Sequence, residues 1–168
     1  MQRSSTGTGR REASGAHSRT RAKIIRIEHN IWTKADPKTT WKIFTDWKKW
    51  HRISDRYESI EWFGTPWVPG SRVRIAILRP VKATVDRVIT ICEPARCVAW
   101  INHVLGYSME QWVVLEPANA GTTVSTWLEF TGPGLAIDGV AVQATIEQYL
   151  EEWYESFRAQ CDRVTLQT

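Results

Sequence analysis

The chain has 168 residues, 42% of them hydrophobic and 24% charged, with three cysteines, ten tryptophans and a formal net charge of +4. That length predicts one domain with a sizeable core, and the composition excludes whole-chain disorder and a fibrous repeat. No run of eighteen apolar residues occurs, so no helix of this sequence is expected to span a membrane.

The charge is unevenly placed. Residues 1–23 carry Arg3, Arg10, Arg11, Arg19, Arg21 and Lys23 against Glu12, net +5, which leaves 16 basic and 17 acidic residues, net −1, for the remainder. Residues 1–22, rich in Ser, Gly, Thr and Arg, cannot bury enough surface to offset ordering entropy and are expected to form a disordered basic tail. No apolar stretch follows the twin arginine Arg10-Arg11, and no amphipathic face of a transit peptide shows, so the expected location is cytoplasmic. A body near neutrality lacks the basic face that a nucleic-acid partner requires, and none is expected.

Residues 23–166 read as a single domain. Ala22 to Trp32 alternates, with Ile25, Ile27, His29 and Ile31 on one face, as a strand with one wet side does. Asp36-Pro37 reads as an N-cap and first-turn proline of a short helix through Trp41 and Phe44, and Asp46 can cap a second short helix from Trp47 to about Arg52. Six strands follow: Tyr57–Phe63, Arg72–Leu78, Val81–Cys92, Arg96–His103, Tyr107–Leu115 and Thr122–Thr131, divided by turn clusters such as Thr65-Pro-Trp-Val-Pro-Gly70. Ile146, Leu150, Trp153, Phe157 and Val164 then recur at helical spacing, predicting one long amphipathic helix from Leu135 to about Leu166. Some 28 helical residues would run about 42 Å, so this helix must lie along something large.

Six consecutive strands on short turns predict an antiparallel meander whose apolar face needs cover, and only the C-terminal helix is long enough to cover it. A curved sheet around one helix touches it along a line and leaves a gap, a natural pocket of roughly 300–1,000 Å³ in ligand-binding proteins. The three cysteines, Cys92, Cys97 and Cys161, have no metal-ligand spacing and read as free thiols of a reducing compartment, so neither a metal nor another cofactor is expected.

Several short motifs occur in a suggestive order: Ala35-Asp-Pro-Lys-Thr-Thr-Trp41, Asp46-Trp-Lys-Lys-Trp50, Pro69-Gly70, Pro94, Gly121-Thr122 and Thr131-Gly132-Pro133. Over about residues 23–165 this pattern resembles the START-like, Bet v 1-type (SRPBCC) superfamily, which includes polyketide cyclase/dehydrase-like and lipid-transfer proteins. The resemblance implies an α+β helix-grip fold: a curved seven-stranded antiparallel sheet around a long C-terminal helix, with two short helices after the first strand. It implies a hydrophobic cavity and no shared catalytic signature.

Phasing the strands gives candidate ligand-binding residues: Trp62, Ile75, Trp100, Tyr107, Met109, Gln111, Thr126, Leu128 and Phe130 from the sheet, and Leu150 and Trp153 from the helix. Trp62 and Trp100 are hard to phase, because apolar residues flank both, and a bulge flips every assignment beyond it. Tyr107, Gln111 and Thr126 could fix a polar ligand group or bond one another. His29 reads as a wall residue, His51 as a solvated one, and Asp86 and Glu129 as outward charges. Trp47, Trp50 and Trp67 could form a lid or simply pack the short helices on the sheet end.

Three function classes remain open. The first is a carrier or sensor of a hydrophobic or aromatic small molecule, which needs only the cavity. The second is a cyclase/dehydratase-type enzyme using acid/base groups in that cavity, with His103, Tyr107 and Glu110 as the catalytic candidates. The third is a protein-interaction module, which needs an exposed apolar patch. The ligand's identity, the oligomeric state and the role of the tail are not legible in the sequence.

Overall fold

Alternating polar and apolar residues become one sheet. The computed structural model describes residues 24–79, 82–104, 106–133 and 135–167. Its strands are β1 (Ile25–Thr33), β2 (Tyr57–Phe63), β3 (Arg72–Ile77), β4 (Ala83–Glu93), β5 (Cys97–Val104), β6 (Tyr107–Ala118) and β7 (Gly121–Thr131). Helix α1 (Pro37–Thr45) and a 3-10 helix (Trp47–Arg52) lie between β1 and β2, and α2 (Leu135–Thr165) ends the fold. The basic tail expected over 1–22 lies outside the described residues.

The sheet order is β1-β7-β6-β5-β4-β3-β2, and every neighbouring pair is antiparallel. Strands β2 to β7 are therefore the expected meander. The two short helices carry the chain from one edge of the sheet to the other, so β1 closes on β7. Register shifts at Tyr57/Ser59 and Ile89/Ile91 interrupt the ladder, and such bulges bend a strand and increase its twist.

Burial separates the two faces. Ile25, Ile27 and Ile31 of β1, Val73 and Ile75 of β3, Val85 and Ile89 of β4, Val98 and Trp100 of β5, and alternate residues of β6 and β7 point inward. Outward positions carry ion pairs, among them Arg74–Asp86 at 3.0 Å and Arg26–Glu129 at 2.6 Å. The outward reading of Asp86 and Glu129 thus agrees with the structure.

Helix α2 has nearly the predicted extent, but its buried stripe is Leu150, Trp153, Tyr154, Phe157 and Cys161. Tyr154 and Cys161 belong to the stripe and were not among the periodic positions, whereas Ile146 and Val164 are only half-buried. Between Val140 and Tyr149 no described side chain is fully buried. Leu135 at the start of the helix is buried as well, so the loosely covered stretch is 140–149. Asp162 anchors the second half of the helix, accepting hydrogen bonds from Thr33 Oγ1 at 2.7 Å and from the Lys34 amide at 2.9 Å. Burial, and then the neighbouring Asp162, pushes the Cys161 thiol up to about 12, so this cysteine packs as an uncharged thiol.

The start of α1 follows from Asp36. Its carboxylate accepts from the Lys38 amide at 2.9 Å, the Thr39 amide at 3.1 Å and the Thr39 hydroxyl at 2.6 Å. Proline at the first helical position removes an amide that would lack a partner. Bonds from Thr39, from its hydroxyl first, hold the Asp36 carboxyl below its ordinary value. Such a group stabilises the fold above its unfolded-state pKa, and the contribution is lost as pH falls through the lower folded-state value. Asp36→Ala is expected to cost about 1 kcal/mol at neutral pH, and urea titrations below pH 3 should show the gap to wild type shrinking. Asp46 behaves differently from expectation: its side chain caps nothing in the 3-10 helix and instead pairs with Lys49 Nζ at 2.5 Å.

Candidate functional site

The space between the sheet and α2 is largely filled. Phe44 of α1, Trp50 of the 3-10 helix, Tyr57, Arg87, Trp100 and Gln111 of the sheet, and Tyr149, Trp153 and Tyr154 of α2 line an internal cavity of about 20 Å³. That is room for roughly one water molecule, far below the several hundred Å³ expected from a curved sheet around a helix. The reason is side-chain bulk. Trp153 stacks on Phe157 with ring centres 5.4 Å apart, meets Tyr154 edge-on at 4.9 Å and meets Trp50 edge-on at 5.9 Å. Seven of the nine lining residues are aromatic, so the gap that backbone curvature creates is occupied by rings.

Polar atoms in this interior are incompletely satisfied. Seven buried side-chain atoms among the described residues have no hydrogen-bond partner, and six belong to inward-facing sheet residues or α2: His29 Nε2, Trp62 Nε1, Arg87 Nε, Trp100 Nε1, Asn102 Oδ1 and Trp153 Nε1. Each such group costs about 1–3 kcal/mol when left unpaired, and three of them, Arg87 Nε, Trp100 Nε1 and Trp153 Nε1, belong to residues lining this cavity, which needs a physical reason. Arg87 is the most unusual of them. Its position in β4 shares the inward phase of Val85 and Ile89, and the residue is only 9% exposed. Its guanidinium lies 5.1 Å from the Trp100 ring centre, and among the described residues no carboxylate pairs with it.

Tyrosine hydroxyls complete the set. Tyr57 and Tyr149 meet at 3.2 Å, hydroxyl to hydroxyl, and the Trp153 indole nitrogen lies near Tyr57 without hydrogen-bond geometry. Burial, and then Tyr149, raises the Tyr57 hydroxyl well above its ordinary value, with Arg87 acting in the opposite direction. Burial likewise raises Tyr154, opposed by Thr126. Both therefore remain protonated near neutral pH, when they can donate but do not act as anions. At the rim, Arg56 pairs with Glu152 and stacks over the Tyr149 ring at 5.4 Å.

Of the sequence-predicted ligand residues, Trp100, Gln111 and Trp153 line the cavity. Ile75, Met109, Thr126, Leu128, Phe130 and Leu150 are buried core residues outside its lining. Gln111 Nε2 donates to Thr126 Oγ1 at 3.1 Å, and Thr126 Oγ1 donates to the Trp112 carbonyl at 2.7 Å, so these two polar residues bond internally. Trp62 pairs in register with Val73 and packs its ring 5.0 Å from Trp67.

The catalytic candidates do not assemble in the interior. His103 and Tyr107, with Ser108, Thr131 and Pro133, line an open depression of about 400 Å³ at the β5–β6 hairpin tip and the end of β7. His103 Nδ1 bonds the Ser108 hydroxyl at 2.9 Å. Glu110 pairs in register with Ile101 and Glu129 on the outer face, where it accepts from Trp112 Nε1 at 2.9 Å. A one-residue offset decides this: 109 and 111 point inward, so 110 points out. The depression is larger than the internal cavity, yet none of the unpartnered buried atoms belongs to it. The interior is accordingly the stronger candidate site.

Phe44, Tyr57, Arg87, Tyr149 and Tyr154 were absent from the predicted ligand-binding residues. Arg87 was detectable, since it alternates with Val85 and Ile89. Phe44, Tyr57 and Tyr149 come from elements whose approach to the sheet no local pattern specifies. Trp50, which also lines the cavity, and Trp67 are tied to α1: their indoles donate to the Phe44 carbonyl at 2.8 Å and the Thr45 carbonyl at 2.9 Å, at the otherwise unpaired end of α1. His51 is exposed, as expected. His29, read as a wall residue, is not among the residues lining the cavity; its ring centre lies 5.7 Å from that of Tyr154.

No family model and no curated protein matches the sequence. Solved structures do match in shape. Ara h 8.0201 is 14% identical with a TM-score of 0.71, over 83% of this chain and 98% of that one. Norcoclaurine synthase from Thalictrum flavum, in complex with dopamine and hydroxybenzaldehyde, is 12% identical with a TM-score of 0.67, over 99% and 98%. A START superfamily protein from Mycobacterium smegmatis is 11% identical with a TM-score of 0.67, over 83% and 98%. At these identities the likeness establishes the chain's fold, the START/Bet v 1 helix grip expected from the motif order.

Proposed function

We propose that this helix-grip protein is a binding protein, a carrier or sensor, that takes a small aromatic or hydrophobic molecule into the space between the sheet and the second half of α2. The observation that carries this reading is the set of three unpartnered polar atoms, Arg87 Nε, Trp100 Nε1 and Trp153 Nε1, on residues lining an aromatic-walled cavity. A stable core without a ligand role has little reason to keep them, because apolar replacements would remove the cost. That a protein of the same fold was solved with two aromatic compounds, dopamine and hydroxybenzaldehyde, supports the same reading.

A water-sized cavity admits such a molecule only by opening. The rim between Tyr57 and α2 is held by the Tyr57–Tyr149 hydroxyl contact and the Arg56–Glu152 ion pair. The hydroxyl contact is worth about 1 kcal/mol, and solvent screens the ion pair at the exposed Glu152, so parting them costs little beside the gain from burying an aromatic ring. The stretch of α2 just ahead of them, 140–149, has no fully buried described side chain, so less packing holds it to the sheet.

Protein purified from its own host should retain a small hydrophobic ligand by native mass spectrometry. Added ligand at a hundred times its Kd should raise Tm by about 5–10 °C, from roughly 2.7 kcal/mol of linkage at this chain length. Folded protein with no retained mass, and no shift with any of a panel of aromatic and aliphatic acids, amides and alcohols, would end the binding reading.

The enzyme reading loses all three of its candidates, His103, Tyr107 and Glu110, from the residues lining this space and rests on Tyr57 and Tyr149 instead. Their touching hydroxyls could donate a proton to a substrate oxygen. Turnover that survives Tyr57→Phe and Tyr149→Phe together would remove it.

A further inference from the structure

We infer that the ligand carries a single negative charge on oxygen, a carboxylate or an equivalent monoanion attached to an aromatic body, and that Arg87 is its seat. This inference rests on the binding reading above and names the class of molecule that site takes. Arg87 projects from β4 onto the inner face, is nine-tenths buried, has an unpartnered Nε and is paired with no carboxylate among the described residues. A buried cation is compatible with a stable fold when an opposite charge or a full set of hydrogen bonds compensates it. The Trp100 ring at 5.1 Å supplies only part of that compensation.

The surroundings select an anion of one charge. Asn102 faces Arg87 across the β4–β5 ladder and has its own unpartnered buried oxygen, so a carboxamide stands beside the guanidinium on the same row. Trp100 Nε1 and Trp153 Nε1 are two further unpartnered donors among the residues lining the cavity with Arg87. The Tyr57 and Tyr154 hydroxyls feel the Arg87 charge and stay protonated. Asn102 Oδ1 is an acceptor, so the groups able to meet an anion are Arg87, the two indole N–H groups and the tyrosine hydroxyls, with no second cation among the lining residues to match a phosphate dianion. The remaining walls, Phe44, Trp50, Tyr149 and the Trp153 ring, suit a flat apolar body. A guanidinium also meets a carboxylate through two parallel hydrogen bonds, which fixes the orientation of the attached ring.

The test uses matched probes of two sizes: benzoate against benzamide, and 2-naphthoate against 2-naphthamide. Each is titrated by calorimetry into the full chain, wild type, Arg87→Met and Arg87→Lys. Wild type is expected to bind at least one acid tenfold or more tightly than its amide. Arg87→Met should lose that preference while still binding the amide, and Arg87→Lys, which keeps the charge but not the paired hydrogen bonds, should keep only part of it. Equal affinity of wild type for acid and amide would overturn the inference and leave the binding reading standing, as would a preference retained in folded Arg87→Met. Failure of all four probes to bind folded wild type would overturn both.

Discussion

Replacing Phe44 with alanine is expected to destabilise the protein by about 3–5 kcal/mol, the usual loss for a fully buried aromatic ring. Phe44 is 2% exposed and sits where four segments converge. Its ring centre lies 6.1 Å from Trp50, 5.6 Å from Trp67, 6.0 Å from Trp153 and 5.8 Å from Phe157. Removing it takes the shared wall from the 3-10 helix, the Trp67 turn and α2 at once, and large neighbouring rings cannot collapse into the space without leaving their own partners. Urea denaturation would report the loss, accompanied by a Tm fall of roughly 10 °C. A loss below about 1.5 kcal/mol would mean that the ring cluster relaxes freely and is not the close-packed core described here. The same variant enlarges the internal cavity, so it should also bind benzamide more tightly than wild type does.

Gly121→Ala is expected to cost about 3 kcal/mol, at the upper end for overpacking, because the added atom meets backbone and not a movable side chain. A Cβ at Gly121 would lie 2.1 Å from the Thr33 carbonyl oxygen and 3.0 Å from the Trp32 ring. Gly121 opens β7 beside the end of β1, where Thr122 Oγ1 also donates to the Ala35 carbonyl at 2.7 Å. The edge strand, the start of α1 and the Asp162 anchor of α2 meet at this corner, so moving the Thr33 carbonyl disturbs all three. Hydrogen exchange should show lost protection in β1 amides ahead of the central strands. Unchanged protection and a loss under 1 kcal/mol would show that the corner yields cheaply.

Both outcomes bear on how much of this molecule was legible beforehand. Alternation of period two located the strands to within a few residues, and turn chemistry separated them. Asp36-Pro37 announced α1, since a cap and a first-turn proline act through atoms only two or three residues away. Helical spacing announced α2 for the same local reason, and motif order pointed to the helix grip. Periodicity also placed Thr126, Leu128, Met109 and Gln111 on the inner face.

The filling of that face was not local. Whether a gap of hundreds of Å³ or of one water lies beneath α2 depends on how Phe44, Trp50, Tyr149 and Trp153, from separate elements, meet around the same point. No pattern within one element encodes that meeting. His103 and Glu110 illustrate the same limit at smaller scale: their sequence placed them on adjacent strands, but which side of the pleat they occupy follows from the register. Arg87 lies between these cases. Its inward phase can be read from Val85 and Ile89, whereas its having no carboxylate partner among the described residues depends on residues contributed by β5, β2 and α2. Strand and helix identity arise from short-range backbone and side-chain preferences along the chain; cavity volume and the pairing of a buried charge arise from distances between segments that folding alone brings together.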